Sequence, residues 1–454
     1  MSDETIWAAK AKFVEDELIK RIPEHKLRPR LEPTRRAVEL LGDPQKAYRV
    51  IHITGTNGKT STTRFIERIL REHGLRTGRF TSPHLVSLNE RMALDGEPVS
   101  NEMLYEVYND ITPVLEMVDA ELEAAGDSKL TFFEALAVLG FAIFADAPVD
   151  VLVLEVGMGG EWDSTNVADG DVAVFTPISL DHTDRLGNTV EEIATTKSGI
   201  IKQNALVVSS KQDAGPLEIL TRKTADSDGE LSVFGINFEV LSSSIDGFGQ
   251  RITVKGTAGT YPDLYLPLFG AYQSENLALA IAAVESFLGG QTVPISDEIL
   301  RIAVADATSP GRLQVLSREP LTIIDAAHNP HGAHSLANAL RDFFAAPATI
   351  GIIGVLGDKD AAGLLSELAQ SFDHLIVTKS SSPRALDESD LANIAREFFD
   401  AEAITVLPTL AEAYELAKDM LPNDGAVVVT GSVSMAGDML KMFREDDDFE
   451  EQVD

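Results

Sequence analysis

The sequence predicts an α/β protein, in which a P-loop parallel-sheet domain of the ATPase type is followed by a smaller Rossmann-like α/β domain. Three observations predict this class. Largely apolar runs at 149–154 and 172–176 alternate with helical patterns, as in parallel sheets that helices cover on both faces. A glycine-flanked turn stands between the strand-like run that ends at Thr54 and a helical pattern. A second alternation of strands and helices begins near Leu321.

The chain has 454 residues, which is more than one core of usual size holds, so we expect two domains. We place the boundary at Ser309-Pro310-Gly311, because Pro-Gly interrupts regular structure and the strand pattern restarts after it. The expected domains are 1–308 and 309–443. The segment 444–454 is dominated by Asp and Glu, and we expect a disordered acidic tail there.

Hydrophobic periodicity predicts the elements in chain order. Amphipathic patterns predict helices at 7–22 and 34–41, an apolar run predicts the strand at 49–54, and helical spacing continues to about residue 72. Apolar runs predict strands at 77–80, 149–154, 172–176 and 205–209, with helices at 131–145 and 190–200. Alternation broken by Gly and Pro predicts antiparallel strands between 231 and 268, and a helix follows at 273–288. Further strands are predicted at 321–324, 349–353, 374–377 and 426–430.

Composition excludes several classes of function. The 72 acidic and 38 basic residues give a net charge of -34, so nucleic acid and anionic membranes would be repelled and an anionic substrate needs local positive features. The absence of cysteine excludes disulfides, zinc–thiolate sites and thiol catalysis. The N-terminus lacks a signal-peptide pattern, and the longest apolar runs, such as 135–145, are too short to span a bilayer. We therefore expect a cytoplasmic protein.

The segment from Gly55 to Ser61 has the layout of a phosphate-binding loop, Gly-Thr-Asn-Gly-Lys-Thr-Ser. Backbone N–H groups of such a loop surround anionic oxygens, the lysine reaches the terminal phosphates and a hydroxyl can hold Mg²⁺. The complete P-loop pattern would require glycine at position 53, where this chain has Ile53, so Gly55 would make the turn. An ordinary strand-to-helix turn is the alternative interpretation.

Carboxylate and imidazole groups follow two of the predicted strands. Glu155 ends one strand and is followed by glycines, and Asp181 and His182 come after the next strand. Ligands bind beyond the carboxyl ends of parallel strands, and Mg²⁺ prefers oxygen ligands, so these groups are candidates for a metal site. The alternatives are a glutamate that ends its strand in solvent and a histidine with only a structural role.

Three further motifs carry weaker signals when each is taken alone. The loop Thr81-Ser82-Pro83-His84 indicates only a turn, and Lys197 has the position of a solvated lysine at a helix end. The run from Asp325 to His331 places Asp, His and Asn after a strand of the second domain, where a ligand could bind. Turn formation and helix capping by Asn-Pro explain the same residues equally well.

Taken together, the motifs resemble those of one family, the folylpolyglutamate and dihydrofolate synthases, which are relatives of the Mur ligases. The resemblance extends from about residue 30 to Gly431, and the motifs are specific when they are taken as a set. The segments that carry it are 55–61, 81–84, 132–134, 155–166, 180–182, 197–202, Gln273 with Asn276, 310–313, 325–331 and 354–360.

The resemblance implies an ATP-dependent amide ligase of folate biosynthesis. In such an enzyme, the carboxylate of dihydropteroate or a reduced folate takes the γ-phosphoryl group of ATP, and the amine of L-glutamate displaces phosphate from the acyl phosphate. Mg²⁺ and lysine then neutralise the charge of the transferred group. Many bacterial members use both acceptors, so we expect a bifunctional enzyme acting as a monomer on small molecules.

The resemblance also implies roles for individual residues. Lys59, Lys197 and His182 would be catalytic, and Lys197 falls where the family has a carbamylated lysine, with two Mg²⁺ ions expected. Ser82, Glu155 and His182 would bind metal. ATP would contact residues on both sides of the domain boundary, namely Thr56, Asn57, Gly58, Lys59, Thr60, Ser61, Asn276, Arg312 and Asp325. The pterin would contact Thr131, Phe132, Phe133, Glu134, Trp162, Asp163 and Ser164, with His328 and the loop 358–360 on the glutamate side.

Two positions depart from the family pattern. Where the family commonly has glycine after the loop lysine, this chain has Thr60, which is the residue type of the Mur ligases, and Glu161 stands where an arginine is usual. The first alternative function is a Mur-type ligase of cell-wall precursors. Those enzymes have a separate domain before the loop, and the residues up to Thr54 are too few for one. The second alternative is a nucleotide-binding regulator, which would need the loop but not Glu155, His182 and Lys197.

Overall fold

The computed structural model describes residues 3–23, 29–344, 346–422 and 424–451. The chain divides into two compact units. The first unit comprises residues 1–242, 252–264 and 275–307, and the second comprises residues 243–251, 265–274 and 308–454. In the described residues, no helix combines the length and the apolar character that crossing a membrane requires.

An eight-stranded sheet forms the centre of the first unit. Its strands are β1 Arg49–Thr54, β2 Thr77–Phe80, β3 Met92–Leu94, β4 Glu97–Pro98, β5 Val151–Glu155, β6 Val172–Phe175, β7 Leu206–Ser209 and β8 Glu230–Val233. The strand order is β4-β3-β2-β5-β1-β6-β7-β8. All neighbouring strands in the series β2-β5-β1-β6-β7-β8 pair in parallel. Beyond β2, the strands β3 and β4 extend the sheet with antiparallel pairs. The predicted parallel sheet is therefore confirmed.

Helices cover this sheet because the central strands are apolar on both faces. Every residue of β5 is buried, as is every residue of β6. The helices before residue 230 are α1 Asp3–Ile19, α2 Glu32–Leu40, α3 Lys59–Glu72, α4 Asn101–Ala124, α5 Phe132–Asp146, α6 Thr183–Leu186, α7 Val190–Lys197 and α8 Ala214–Asp226. Short 3₁₀ helices lie at Pro44–Lys46, Leu88–Arg91, Ser164–Val167, Ser198–Ile200 and Ala401–Ala403.

The parallel register brings the carboxyl ends of four strands to one edge of the sheet. Phe80 of β2 lies beside Leu154 of β5, and Ile53 of β1 lies beside Glu155. On the other side of β1, Thr54 lies beside Phe175 of β6. The loops after these strands therefore start close together, and they contain the predicted phosphate loop, Ser82, the glycines after Glu155, and His182.

The remaining elements include a second parallel sheet. β9 Glu239–Asp246, β10 Gly249–Lys255 and β11 Thr260–Leu266 form a three-stranded sheet, and α9 Ala271–Gly289 and α10 Asp297–Ala305 follow. The six-stranded sheet of the second unit contains β12 Gln314–Arg318, β13 Leu321–Ile324, β14 Thr349–Ile353, β15 His374–Val377, β16 Ile404–Val406 and β17 Ala426–Thr430 in the order β12-β13-β17-β14-β15-β16. Only β12 is antiparallel. The helices that follow β13 in the second unit are α11 Pro330–Phe343, α12 Ala361–Leu368, α13 Glu388–Ala395, α14 Leu410–Met420 and α15 Val433–Glu451.

Several elements differ from the prediction. The 24-residue helix α4 was not predicted, and residues 231–233 were expected to begin an antiparallel region but join the large sheet as the parallel strand β8. Helix α15 continues to Glu451, although we expected a disordered tail from residue 444. Gly437 lies inside this helix, and no further Gly or Pro stands between it and the acidic run, so nothing local ends the helix at residue 444. Residues 452–454 lie outside the described residues.

Candidate active site

The phosphate loop connects β1 to α3 and depends on two glycines with positive φ. Gly55 has φ of +144° and Gly58, the residue before α3, has φ of +87°. A Cβ atom on Gly55 would lie 1.9 Å from Thr176 Oγ1, and one on Gly58 would lie 2.6 Å from Asn276 Oδ1. The loop is thus packed against the segment after β6 and against α9, and only glycine fits at either position.

Thr56 fixes the middle of this loop through three hydrogen bonds. Its backbone N–H donates to the carbonyl of Pro177 at 2.8 Å. Its hydroxyl donates to the carbonyl of Ser179 and accepts from the N–H of Ser179, both at 3.0 Å. The N–H and hydroxyl of Thr56 are therefore engaged within the protein, and these hydrogen bonds hold the loop in shape.

Lysine and hydroxyl groups at the start of α3 surround the loop. Lys59 Nζ donates to the carbonyl oxygens of Gly55 and Thr56, both at 3.1 Å. The hydroxyl of Thr60 donates to Glu155 Oε1 at 3.1 Å. Because Glu155 ends β5 and is 1% exposed, this contact places a buried carboxylate directly beside the first turn of α3. Asn57 and Gly58 are half-buried and Ser61 is buried.

Lys197, at the C-terminal end of α7, is buried and lies next to the phosphate loop. Its Nζ donates to the carbonyl oxygen of Gly55 at 2.7 Å. Burial and, to a smaller extent, the charge of Lys59 lower the pKa of Lys197 to about 7, although Asp181 and Asp163 oppose the shift. The interpretation as a solvated helix-end lysine is wrong, since only 4% of Lys197 is exposed.

The glycines after Glu155 allow a close approach of three segments. A Cβ on Gly160 would lie 2.7 Å from the carbonyl oxygen of Lys197, and a Cβ on Gly157 would lie 2.4 Å from the ring of Phe133. The N–H of Glu161 donates to the carbonyl of Thr196 at 2.9 Å. This glycine loop therefore packs directly on the end of α7 and holds Lys197 in place. Trp162 is half-buried at the end of the loop.

Asp163 holds the glycine loop through a buried chain of hydrogen bonds that begins at His52. The Asp163 carboxylate accepts from the N–H of Met158 at 2.8 Å, and from the N–H and hydroxyl of Thr165 at 2.9 and 2.5 Å. His52 Nε2 lies 2.9 Å from the same hydroxyl. Since that hydroxyl donates to Asp163, the imidazole is the donor to it. Burial lowers the pKa of His52 to about 3 and raises the pKa of Asp163.

The predicted pterin residues at the start of α5 form a second structural network. Thr131 and Glu134 make a reciprocal capping box, in which each side chain accepts from the backbone N–H of the other. Arg30 donates to both Glu134 oxygens, at 2.8 and 2.9 Å. The ring of Phe133 packs edge-on against Phe80 with centroids 6.2 Å apart. Phe132 lies 5.2 Å from the guanidinium of Arg91, and Ser164 accepts from Thr34.

Ser82 and His182 lie at the same sheet edge as Glu155. Ser82 is half-buried and follows β2. His182 has φ of +50° and precedes α6, with its Nε2 3.9 Å from Asp181 Oδ2. In the described residues, no group of three or more His, Cys, Asp or Glu side chains forms a metal cluster. The Thr60–Glu155 pair does fit Mg²⁺ chemically, because both donors are hard oxygens and phosphate oxygens can complete its coordination.

The second unit holds Arg312, Asp325 and His328 near one another. The Asp325 carboxylate accepts from the N–H of Leu313 and of Ala327, both at 2.8 Å. Burial raises the pKa of Asp325, and Arg312 opposes that shift. His328 Nδ1 lies 2.9 Å from the carbonyl oxygen of Ala326. Asp325 and His328 follow β13, whereas Arg312 precedes β12, and Asp325 holds the two segments together through Leu313 and Ala327.

Sequence reasoning missed His52 and Arg30. His52 looks like one more residue of an apolar strand, and its partner Thr165 is 113 residues away. Arg30 precedes α2, and its partner Glu134 is 104 residues away. A polar side chain within a run that predicts a buried strand is a signal that could have singled out His52, because buried polar groups need a partner.

Comparisons with known proteins agree with this architecture. The family model for the Mur ligase middle domain matches residues 99–284, and the model for the Mur ligase glutamate ligase domain matches residues 311–433. The dihydrofolate synthase/folylpolyglutamate synthase of Mycobacterium tuberculosis is 40% identical over 95% of this chain and 94% of its own length. The folylpolyglutamate synthase of Lacticaseibacillus casei is 35% identical over 90% of this chain and 94% of its own length.

A solved structure shows the same fold. Folylpolyglutamate synthase of Mycobacterium tuberculosis, complexed with ADP and AMPPCP, matches with a TM-score of 0.92 at 39% identity, covering 96% of this chain and 99% of that one. The predicted family and the predicted α/β fold are thereby confirmed. The chain belongs to the folylpolyglutamate synthase/dihydrofolate synthase family of the Mur ligase superfamily.

Proposed function

We propose that this protein joins L-glutamate to dihydropteroate and to reduced folates, and so acts as a bifunctional ATP-dependent ligase. The acceptor carboxylate attacks the γ-phosphorus of ATP, forming a P–O bond as the bond to ADP breaks. The amine of glutamate, once deprotonated, then attacks the acyl carbon. A C–N bond forms and phosphate leaves.

One observation carries this proposal. Two lysines, a hydroxyl and a buried carboxylate meet at one edge of the parallel sheet, around a glycine loop shaped for phosphate. Lys59 and Lys197 both reach the carbonyl of Gly55, and Thr60 contacts Glu155. A regulator that only binds nucleotide would need the loop but not a buried lysine and a buried carboxylate beside it. Phosphoryl transfer needs such a fixed arrangement of charge.

Metal binding at this edge is part of the proposal. Thr60, Ser61, Glu155, Ser82 and His182 would hold Mg²⁺, which when bound neutralises charge on the phosphates. The hydroxyl and carboxylate of the Thr60–Glu155 pair support this role, because they are hard ligands already in contact.

Carbamylation of Lys197 is also proposed. Only a neutral amine adds CO₂, and a pKa of about 7 leaves much of the amine neutral at cellular pH. The product would be an anion next to the phosphate loop, where it could bind a second Mg²⁺.

The substrate contacts are proposed from position. The phosphates of ATP would lie on residues 56–61 and Asn276, and Arg312 and Asp325 are proposed as further ATP-binding residues. The pterin would lie near Phe132 and Trp162. Thr131, Glu134, Asp163 and Ser164 would hold that pocket in shape, since their side chains bond to other parts of the protein. His328 would lie on the glutamate side.

We further propose that the partners are small molecules only and that the enzyme is a cytoplasmic monomer. A net charge of -34 disfavours contact with nucleic acid or an anionic membrane. Light scattering on the purified protein would measure its mass in solution, and the mass of a dimer would contradict the proposed monomer.

Phosphate release tests the proposed reaction. The purified protein is given ATP, Mg²⁺ and L-glutamate, with dihydropteroate or tetrahydrofolate as acceptor. Turnover with both acceptors supports bifunctionality, and turnover with one assigns a single activity. The variant Glu155→Gln should lose turnover while keeping its fold, and Glu121→Gln, an exposed glutamate paired with Arg36, is the control. Full ligase activity in Glu155→Gln would refute the metal assignment.

A further inference from the structure

Arg64 lies on the side of helix α3 that carries Thr60. The two residues are four apart, so they share a helix face, and side chains on a helix lean toward its N-terminus. Its guanidinium lies close enough to Glu67, Glu90 and Glu155 for their charges to act on it, and Glu155 is the acceptor of the Thr60 hydroxyl. Arg64 is half-buried.

Arg64 differs from other poorly exposed arginines of the first unit because it has no direct partner among the residues that the structure describes. Over the residues that the structure describes, its guanidinium makes neither a hydrogen bond nor an ion pair. Other arginines with little exposure are paired: Arg21 with Asp119, Arg30 with Glu134, Arg68 with Glu72 and Asp306, and Arg79 with Glu67. A poorly exposed charge without a partner is costly, so its retention calls for an external anion.

The carboxylates around Arg64 are already engaged by other donors. Glu67 accepts from Thr77 at 2.7 Å and from Arg79 at 3.1 Å. Glu90 accepts from the backbone N–H groups of residues 85, 86 and 87. Glu155 accepts from Thr60. These three acidic groups therefore lie around Arg64 without being its direct partners.

The guanidinium keeps its charge in this position. Burial and the neighbouring charge of Arg79 lower the pKa of Arg64 to about 10, and the three carboxylates oppose that shift. The group is therefore cationic at neutral pH although its hydration is reduced. Its five N–H donors form a planar fork that matches two oxygens of a carboxylate or phosphate.

We propose that Arg64 is a catalytic residue that binds an anionic oxygen of the reacting pair, either the transferred phosphoryl group or the acceptor carboxylate that attacks it. This inference rests on the proposed function, because it needs an anion at the carboxyl ends of β5 and β1. Both candidate anions meet there when the acyl phosphate forms. The charge of Arg64 would offset the negative charge that Glu155 brings to the same place.

The test compares Arg64→Gln and Arg64→Lys with the wild type in steady-state phosphate release. The matched control is Arg68→Gln, one turn further along α3, where the arginine is paired with Glu72 and Asp306. We expect Arg64→Gln to lower kcat/KM by roughly 100-fold, the usual effect of removing one donor to a developing charge. Arg64→Lys should recover part of this loss, and Arg68→Gln should stay close to the wild type.

Two measurements identify the anion. Positional isotope exchange in ¹⁸O-labelled ATP, with acceptor but without glutamate, reports acyl phosphate formation alone. A slower exchange with an unchanged KM for the acceptor assigns Arg64 to the phosphoryl group. A raised KM for the acceptor with kcat largely kept assigns it to the carboxylate.

Stability separates this role from a structural one. Since Arg64 has no partner to lose, the thermal midpoint of Arg64→Gln should not fall below that of the wild type. A variant with wild-type kinetics, or one whose lost activity follows a lowered midpoint and is shared by Arg68→Gln, would overturn the inference. A wild-type protein that releases no phosphate with either acceptor would overturn the proposed function and this inference together.

Discussion

The unusual acidity of Lys197 leads to a prediction about its chemical reactivity. A lysine with the ordinary pKa of 10.5 is neutral in only about one molecule in 3,000 at pH 7, whereas with a pKa of about 7 half of the amine is neutral. We therefore expect Lys197 to take up CO₂ at neutral pH about a thousand times more readily than an exposed lysine, as far as the neutral fraction sets the rate.

The direction of the pH dependence follows from the cause of the shift. Burial disfavours the charged amine, so carbamate formation should rise as pH increases through 7 and level off by about pH 9. The variant Lys59→Met removes the second cause, a neighbouring positive charge. It should raise the pKa of Lys197 and move the midpoint to higher pH.

The assay is ¹³C NMR of the protein at a fixed concentration of dissolved ¹³CO₂ over pH 5–10. The variant Lys197→Met should lack the signal, and urea-unfolded protein should show no selective carbamate at neutral pH. A native signal whose midpoint lies above pH 9 would refute the reasoning, because burial would then not be lowering the pKa of this lysine.

Two further predictions concern the phosphate loop and a buried ion pair. Gly58→Ala adds a Cβ 2.6 Å from Asn276 Oδ1 at φ of +87°, and should weaken ATP binding at least tenfold in calorimetry, whereas Gly74→Ala, with φ of +91° and open space, should leave binding unchanged. An equal loss of ATP affinity in both variants would mean that backbone strain at positive φ, and not contact of the new Cβ with Asn276, weakens binding. Glu134→Gln removes the buried carboxylate that pairs with Arg30 and leaves the arginine only the more exposed Asp127, so it should lower the free energy of unfolding in urea by about 1.5–3 kcal/mol, whereas Glu121→Gln at an exposed pair should hardly change it. Similar urea midpoints for the two glutamine variants would contradict this.

Much of the fold could be predicted because its signals are local. The apolar runs that became β1, β5 and β6 lie within a residue or two of their predicted positions, since burial on both faces requires consecutive apolar side chains. The parallel pairing then followed from the alternation with helices. Helix α4 was missed because its apolar face is interrupted, with Pro113 inside it.

The candidate site was predicted less completely, because the roles of its residues depend on contacts between segments that are distant in the sequence. The resemblance placed Glu155 and Lys197 in one site, and the structure joins both to the phosphate loop through hydrogen bonds. The capping box of Thr131 and Glu134 has a local signature, Thr-x-x-Glu before an apolar run, but no local pattern could show that Arg30 pairs with Glu134 or that Asp163 turns inward to the glycine loop. Such roles depend on which segment packs opposite, and periodicity along the chain does not contain that information.

The anchoring of Thr56 to the segment after β6 bears on the thermodynamics of nucleotide capture. A loop that must be ordered by its ligand loses conformational entropy at the moment of binding, on the order of 1–2 kcal/mol per residue. Here the hydrogen bonds from Thr56 to Pro177 and Ser179, and the close packing of Gly55 on Thr176, restrict the loop as part of folding. The entropy is therefore lost once, when the chain folds, and each later turnover begins with the phosphate site already in shape.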